Sequence, residues 1–471
     1  MKPPASYKHR RGSIITVRTG GKSMRANFMF LMLLGAILLP MASASLSGSS
    51  APAAEGAPLS AAETHPLIDG YSSSIQASIA FHSDLSTYGD DALDDVEQWV
   101  VFSHILMGEP TEHLEGAYIV QLDAEDAPRT VQQWQQSGAI EAAYPLVERS
   151  MEPRWTPNDP KFNEQWHLVN TGQTGGISGE DVNITGAWNS YKGAGVVIGI
   201  VDDGLDWNHP DIFTDYDSSL DYDFCNNDGD PTPTSGNAHG TAAGGVAAAT
   251  GNNGIGVTGA APEATLVGLQ LISCSTTDVR EGNTLSHESQ DIDIYSNSWG
   301  PSDNGETLSG PGPLMLAALE AGALQGRNGL GNIITWAAGN GLDDDDNSNY
   351  DGYANLRYTI AVTAVDHKGQ QSYYAEPGAN MLVASPSNGD GESITTTDIE
   401  GSGGYSSTDY TSTFGGTSSA TPLVSGVIAL MLEANANLTW RDVQHILVET
   451  SKKNDPNDNS WATNGAGHLV S

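Results

Sequence analysis

Five short buried-type runs, apolar nearly throughout except for the mixed DIYSNSW, set the strongest limit on how this chain folds: VVIGIV (Val196–Val201), ATLVGLQLI (Ala264–Ile272), DIYSNSW (Asp293–Trp299), NIITWAA (Asn332–Ala338) and YTIAVTAV (Tyr358–Val365). Apolar and polar residues do not alternate along them, so each strand has to be covered on both faces. Segments between them, such as GPLMLAALEAGALQG, read as helices rich in small residues. Strands alternating with helices in this way predict an α/β domain with a mostly parallel sheet sandwiched in three layers. In such sheets the functional side chains collect just beyond the carboxyl ends of the strands.

This pattern begins at about Thr156, and the stretch before it has another texture. Roughly Leu59 to Arg154 offers one clear strand, GAYIVQL (Gly116–Leu122), then an amphipathic helix, APRTVQQWQQSGAI, then a short apolar segment, AAYPLV. A small α+β unit is expected there. Nearer the start, basic Lys22–Arg25 precedes the apolar run Phe28–Leu39 and the small-residue site Ala42-Ser43-Ala44. A run of about a dozen residues is short of the ~20 a membrane span needs, so residues 1–44 read as a secretory signal that meets the membrane only during export. The Ser/Ala/Gly/Pro-rich stretch that follows (45–58) is expected to be unordered. At the far end, TWRDVQHILVETS reads as a helix capped by Thr439.

Charge excludes one class of partner. With 58 acidic against 19 basic residues in 471, the net charge is -39, which repels nucleic acid. The surplus is expected to keep the chain soluble outside the cell, as a monomer. Cysteine contributes at most one bridge, between Cys225 and Cys274, and the sequence alone leaves open whether it forms.

Four residues stand where chemistry can be done. Asp202 follows directly on VVIGIV, His239 opens the small-residue helix HGTAAGGVAAA, Asn340 comes just past NIITWAA, and Ser418 in GGTSSATP begins a long apolar helix. A serine hydroxyl is a weak nucleophile until a histidine takes its proton, and the histidine needs a carboxylate to fix its tautomer. An asparagine amide at the right place donates to the oxyanion that forms.

The order Asp, His, Asn, Ser, together with VDDGLDWNHPDI, HGTAAGGVAAATGNNGIGV, IYSNSWGPSDNGETLSGP, WAAGNG, NYDGYANLRYTIAVTAVD and GGTSSATP, resembles the subtilisin-like serine proteases of the peptidase S8 family, in their kexin/furin branch of proprotein convertases. The resemblance covers about Asn158 to Ser471. It implies a subtilisin-like catalytic domain over 155–471, after a pro-region (45–154) that serves as an intramolecular inhibitor and is removed after Arg149 or Arg154. It implies Ser418 as nucleophile, His239 as general base, Asp202 as its orienting carboxylate, and Asn340 with the Ser418 N–H as the oxyanion hole. Asp303 and Asp351 match acids of the pocket for the residue before the scissile bond (P1), Asp203 an acid of the P2 subsite, and Glu281 and Tyr353 positions around P4. Gly236 and Ser309 depart from the family, standing where a second P2 acid and a P4 acid are common.

The same resemblance implies calcium. Asp159, Asp211 and Asn253, with carbonyls of Thr250, Ile255 and Val257, match a first site; Asp303, Asp346 and Glu376 a second; Asp223, Asp228 and Asp230 a third. Hard cations of this kind want six to eight oxygens, which acid-rich loops supply. The expected activity is secreted, calcium-dependent hydrolysis of protein or peptide substrates after Arg, favouring Lys-Arg or Arg-Arg. Two alternatives stand beside it: a secreted subtilisin of broad specificity, and a non-catalytic calcium-binding interaction protein on the same fold. Because convertases carry a further β-sandwich P domain, a sequence ending at Ser471 is expected to be a fragment or to be poorly stable alone.

Overall fold

The computed structural model describes residues 67–464 apart from 86–92, 94–95, 105 and 148–154, together with 467 and 469–470. The signal-like segment 1–44, the stretch 45–58 and the processing points Arg149 and Arg154 lie outside the described residues. The chain divides into two compact units, one ending at Pro153 and the other running from Arg154.

The first unit holds α1 (Ser73–Ser83), β1 (Gln98–Phe102), β2 (Glu109–Pro110), β3 (Ala117–Gln121), α2 (Ala127–Ser137) and β4 (Ala142–Pro145). Its strands form an antiparallel sheet in the order β2-β3-β1-β4. The strand and helix read from GAYIVQL and APRTVQQWQQSGAI are β3 and α2, and AAYPLV forms β4. The helix stops where Gly138 turns left-handed at φ 74°. Val131 of α2 packs with Trp99, Val101 and Val120 of the sheet. Sequence reasoning missed β1 and α1. The run QWVVF is only five residues long, and α1 buries only Ile79, so it carries almost no helical period.

In the second unit seven strands pair throughout in parallel, in the order β11-β10-β9-β8-β5-β7-β6. They are β5 (Val197–Asp202), β6 (Tyr222–Asp223), β7 (Thr265–Gln270), β8 (Ile294–Asn297), β9 (Ile333–Ala337), β10 (Ile360–Val365) and β11 (Met381–Pro386). The mostly parallel α/β sheet expected from the five apolar runs is therefore present. Those runs are its five inner strands; the two edge strands β6 and β11 are short or only half-buried and gave no such signal.

Side chains alternate across a strand, and here they alternate between two cores. Ile198, Ile200, Ile294 and Ile333 enter one core with residues of α3 (His239–Ala248), α6 (Thr417–Ala434) and α7 (Trp440–Thr450). Val201, Tyr295 and Ile334 enter the other, with Met315 and Leu319 of α5 (Pro313–Gly329). Helix α6 is long and apolar enough to cross a membrane, but 83% of it is buried inside this domain. Thr439 caps α7 through a reciprocal pair of bonds with Asp442.

The strand order places the site. From β5 the chain builds β6 and β7 on one side, then crosses to β8 and builds outward on the other. Such a reversal opens a crevice at the carboxyl end of the strands, and β5 ends on Asp202.

Candidate active site

Asp202 and His239 meet in that crevice. Asp202 is buried at the end of β5, and His239 opens α3. Nδ1 of His239 lies 2.9 Å and 3.0 Å from the two Asp202 carboxylate oxygens. Gly240 allows the approach: a Cβ there would stand 2.1 Å from the Gly204 carbonyl and 2.8 Å from Cβ of Asp202. Burial works against a charged imidazole, but Asp202, by charge and hydrogen bond, and then Asp203 outweigh it and hold the His239 pKa above its ordinary value.

Asp203, expected at the P2 subsite, supports the histidine helix. Its carboxylate accepts N–H bonds from His239 (3.2 Å) and Gly240 (2.8 Å), so it satisfies the first turn of α3 and holds the histidine in place. Burial, followed by the neighbouring Asp202 charge, raises its pKa well above the usual carboxylate range.

Ser418 sits in the first turn of α6, just after Gly416 enters with φ 76°. Its hydroxyl donates to the Ser298 carbonyl at 3.2 Å, and the Ser298 hydroxyl donates to the Ser418 carbonyl at 3.0 Å. Ser298 follows directly on β8, and sequence reasoning did not single it out. Phe414, at the end of β13 (Tyr410–Phe414), presents its ring to His239 edge-on, centroids 5.4 Å apart. It too was missed, because an aromatic ending a hairpin strand looks like any core residue.

Asn340 reaches the same place from the loop after β9. Its side-chain oxygen accepts from the Thr417 N–H (2.8 Å) and the Thr417 hydroxyl (3.1 Å). That fixes the amide, leaving its NH2 as the donor end, 3.5 Å from Asp303.

Asp303 also accepts the Asn340 N–H at 2.8 Å. With Asp346 and Glu376 it forms a group whose ligand oxygens all lie within 4.8 Å of one another. Burial, then the neighbouring acids, raise Glu376 to about 7 against the N–H bond from Gly341. Asp303 is raised chiefly by burial. Three acids crowded together with no cationic side chain among them suit a hard divalent cation. Asp351 is raised to about 6, first by burial and then by Asp303 and Asp346, while N–H bonds from Tyr353 and Ala354 pull the other way. Glu281 is buried and accepts the Tyr353 hydroxyl at 3.0 Å, so these two are joined to each other. Tyr353 also stacks on Trp336.

The other two acidic sets differ. Asp159 and Asp211, both buried, lie under the loop of residues 250–257. Asp159 accepts from the Asn252 and Asn253 N–H groups, and Asp211 from the Asn253 amide (2.8 Å) and Val257 N–H (2.9 Å). The Thr250 N–H bonds the Asp211 carbonyl, and the Ile255 N–H bonds the Asn253 side chain. Asp223, Asp228 and Asp230 are not gathered into a group of the kind Asp303 belongs to. Each carboxylate turns back on its own loop: Asp223 to Cys225 and Asn226, Asp228 to Asp230, and Asp230 to Thr232. Cys225 and Cys274 are joined in a disulfide, which settles what the sequence left open.

Comparison with known proteins gives the family. The model of the subtilase family, Peptidase_S8, matches residues 193–467. PC3-like endoprotease variant B of Hydra vulgaris is 43% identical over 320 residues, covering 66% of this chain and 44% of that protein. Human furin is 41% identical over 322 residues, covering 67% and 39%. Human neuroendocrine convertase 2 is 42% identical over 322 residues, covering 66% and 49%. The chain thus spans less than half the length of these curated relatives. Among solved structures, the serine protease of Aeromonas sobria in complex with a chaperone superposes with a TM-score of 0.60 at 26% identity, covering 68% of this chain and 62% of that one. A protease from Pseudoalteromonas arctica gives 0.52 at 26% identity, covering 64% and 93%.

Proposed function

The chain belongs to the subtilase family, and from that premise we propose that it is a secreted, calcium-dependent serine endopeptidase that cleaves after basic residues, favouring Lys-Arg and Arg-Arg. The observation that carries the reading is the doubly held Asp202–His239 pair in the crevice at β5.

In the proposed reaction the Ser418 Oγ swings from the Ser298 carbonyl toward His239. Such bonds are often made only once substrate is bound. Oγ attacks the scissile carbonyl carbon and its proton passes to His239 Nε2; Asp202 holds Nδ1–H and stabilises the imidazolium. The oxyanion is met by the Asn340 amide and the Ser418 N–H, which has no acceptor within its own helix. Collapse expels the amine, which takes the proton from Nε2, and leaves an ester on Ser418. Water, deprotonated by the same histidine, then cleaves the ester and returns Oγ to its hydroxyl form.

Asp303 and Asp351 pair with a P1 Arg, Asp203 faces P2, and Glu281 with Tyr353 lines P4. Asp303, Asp346 and Glu376 would hold a calcium ion, which would supply the positive charge that offsets this crowd of acids. A second ion is assigned to Asp159, Asp211 and Asn253 with carbonyls of Thr250, Ile255 and Val257. The segment up to Arg154 serves as the inhibitory pro-region. The broader-specificity reading is favoured by one observation: residue 236 is a glycine with nothing within 4 Å of where its Cβ would stand, so it contributes no acid and no other side chain fills that place.

The test is turnover of a fluorogenic P1-Arg peptide by the secreted, processed protein and by Ser418→Ala, with calcium and with chelator. Activity that needs both Ser418 and calcium supports the proposal. Equal turnover by the variant contradicts it.

A further inference from the structure

Resting on that reading, we infer that Tyr405 is the aromatic wall of the P2 subsite, presenting its ring to a lysine or arginine side chain there.

The loop that carries Tyr405 is held in place from beneath. It follows β12 (Ile394–Thr397), whose Thr396 and Thr397 hydroxyls bond the Ala242 and Thr241 carbonyls of the histidine helix α3. Asp398, fully buried, then accepts N–H bonds from Ile399 (2.9 Å), Tyr405 (3.1 Å) and Ser406 (2.7 Å). A buried carboxylate accepting three backbone N–H groups ties both ends of the loop to one point through charge-assisted bonds. The Gly403 carbonyl accepts the Gly236 N–H at 2.8 Å, tying the loop to the segment leading into His239.

The ring is therefore presented in a fixed place. Its centroid is 6.0 Å from that of Phe414, which in turn packs on His239. Even so, Tyr405 is 47% exposed, leaving aromatic surface for a ligand. Burial, then the charges of Asp203, Asp202 and Asp398, push its hydroxyl pKa far upward, so the phenol stays neutral beside acids.

Substrate geometry points to the same spot. In an extended peptide successive side chains project to opposite sides. P1 turns toward Asp303 and Asp351, so P2 turns toward His239, Asp203 and the loop resting on Gly236. Asp203 already accepts two backbone N–H groups. Gly236, at φ 95°, is in a conformation that disfavours an acidic side chain. A cation over the Tyr405 ring is attracted by its negative face, and the stem of Lys or Arg packs against it.

The test measures kcat/KM on the full processed chain for P1-Arg peptides with P2 Lys, Arg, norleucine or Ala, using wild type, Tyr405→Phe, Tyr405→Leu and Tyr405→Ala. The expected result is a roughly three- to tenfold loss for P2 Lys and Arg in the Leu and Ala variants. Tyr405→Phe retains the preference for P2 Lys and Arg, the P2 norleucine peptide loses less because it has the stem without the charge, and the P2 Ala peptide changes little. Equal losses at every P2 residue, or none at any, overturn the assignment. If Tyr405→Ala does not fold, the Leu and Phe pair decides. The protease reading is judged separately, by whether Ser418→Ala abolishes turnover of the P2 Ala peptide.

Discussion

Asp202 grips His239 with both carboxylate oxygens, 2.9 Å and 3.0 Å from Nδ1, so the ring is held in the tautomer that leaves Nε2 as the base. Asp202→Asn keeps the shape but presents an amide that favours the wrong tautomer. It is expected to lower kcat by about 10⁴-fold with a small change in KM. Steady-state kinetics checks this, with circular dichroism confirming an unchanged fold.

Asn340 does two jobs that a substitution can separate. In the proposed reaction its NH2 is the oxyanion donor, while its oxygen accepts from the Thr417 N–H and hydroxyl. Asn340→Ala is expected to cost about 10²–10³ in kcat, and about 1–3 kcal/mol of stability from the unpaired Thr417 groups. Asn340→Asp keeps the acceptor but loses the donor and sets a carboxylate against Asp303, so kcat falls with a loss in Tm that grows as pH rises and both acids ionise.

The Cys225–Cys274 bridge closes a loop across a sequence separation of 49. The chain-entropy account gives it about 4 kcal/mol, so Cys225→Ala with Cys274→Ala is expected to lower Tm by several degrees. Scanning calorimetry of the oxidised, reduced and doubly substituted proteins checks this; reduction should reproduce the substitution.

How much of this was legible in the sequence follows from local physics. VVIGIV announced β5 because a strand covered on both faces is predominantly apolar, and the acid that follows it announced Asp202. Positions such as Asn340 and Ser418 could be read because they come directly after a strand or at a helix start. The order of the strands could not be read, since nothing local records which strand neighbours which. Nor could the Ser298 carbonyl or the edge of Phe414, whose roles arise only when distant segments meet. Acid spacing was the weakest guide. It suggested Asp223, Asp228 and Asp230, whose carboxylates accept N–H groups of nearby residues, whereas Asp303, Asp346 and Glu376, far apart in the sequence and matched only by the resemblance, have ligand oxygens within 4.8 Å of one another.

His167 sets an acid limit on stability. It is fully buried, neither ring nitrogen has a hydrogen-bond partner, and burial lowers its pKa to about 3. In the unfolded chain it takes up a proton near pH 6.5. Folding therefore excludes a proton that the unfolded state binds, and stability falls as pH drops from about 6.5 toward 3. The loss is about 2 kcal/mol at pH 5. His167→Phe is expected to flatten that part of the denaturation-against-pH curve; an unchanged curve would assign the acid sensitivity elsewhere.

The most direct measurement of the central claim varies P1 alone. Peptides identical except for Arg, Lys, norleucine or Leu at P1 are assayed with the processed protein, Ser418→Ala, and Asp351→Asn. The account predicts turnover confined to Arg and Lys, abolished by Ser418→Ala and reduced most for Arg by Asp351→Asn. Turnover of the Leu peptide at a rate comparable to the Arg peptide, insensitive to Asp351, would contradict it.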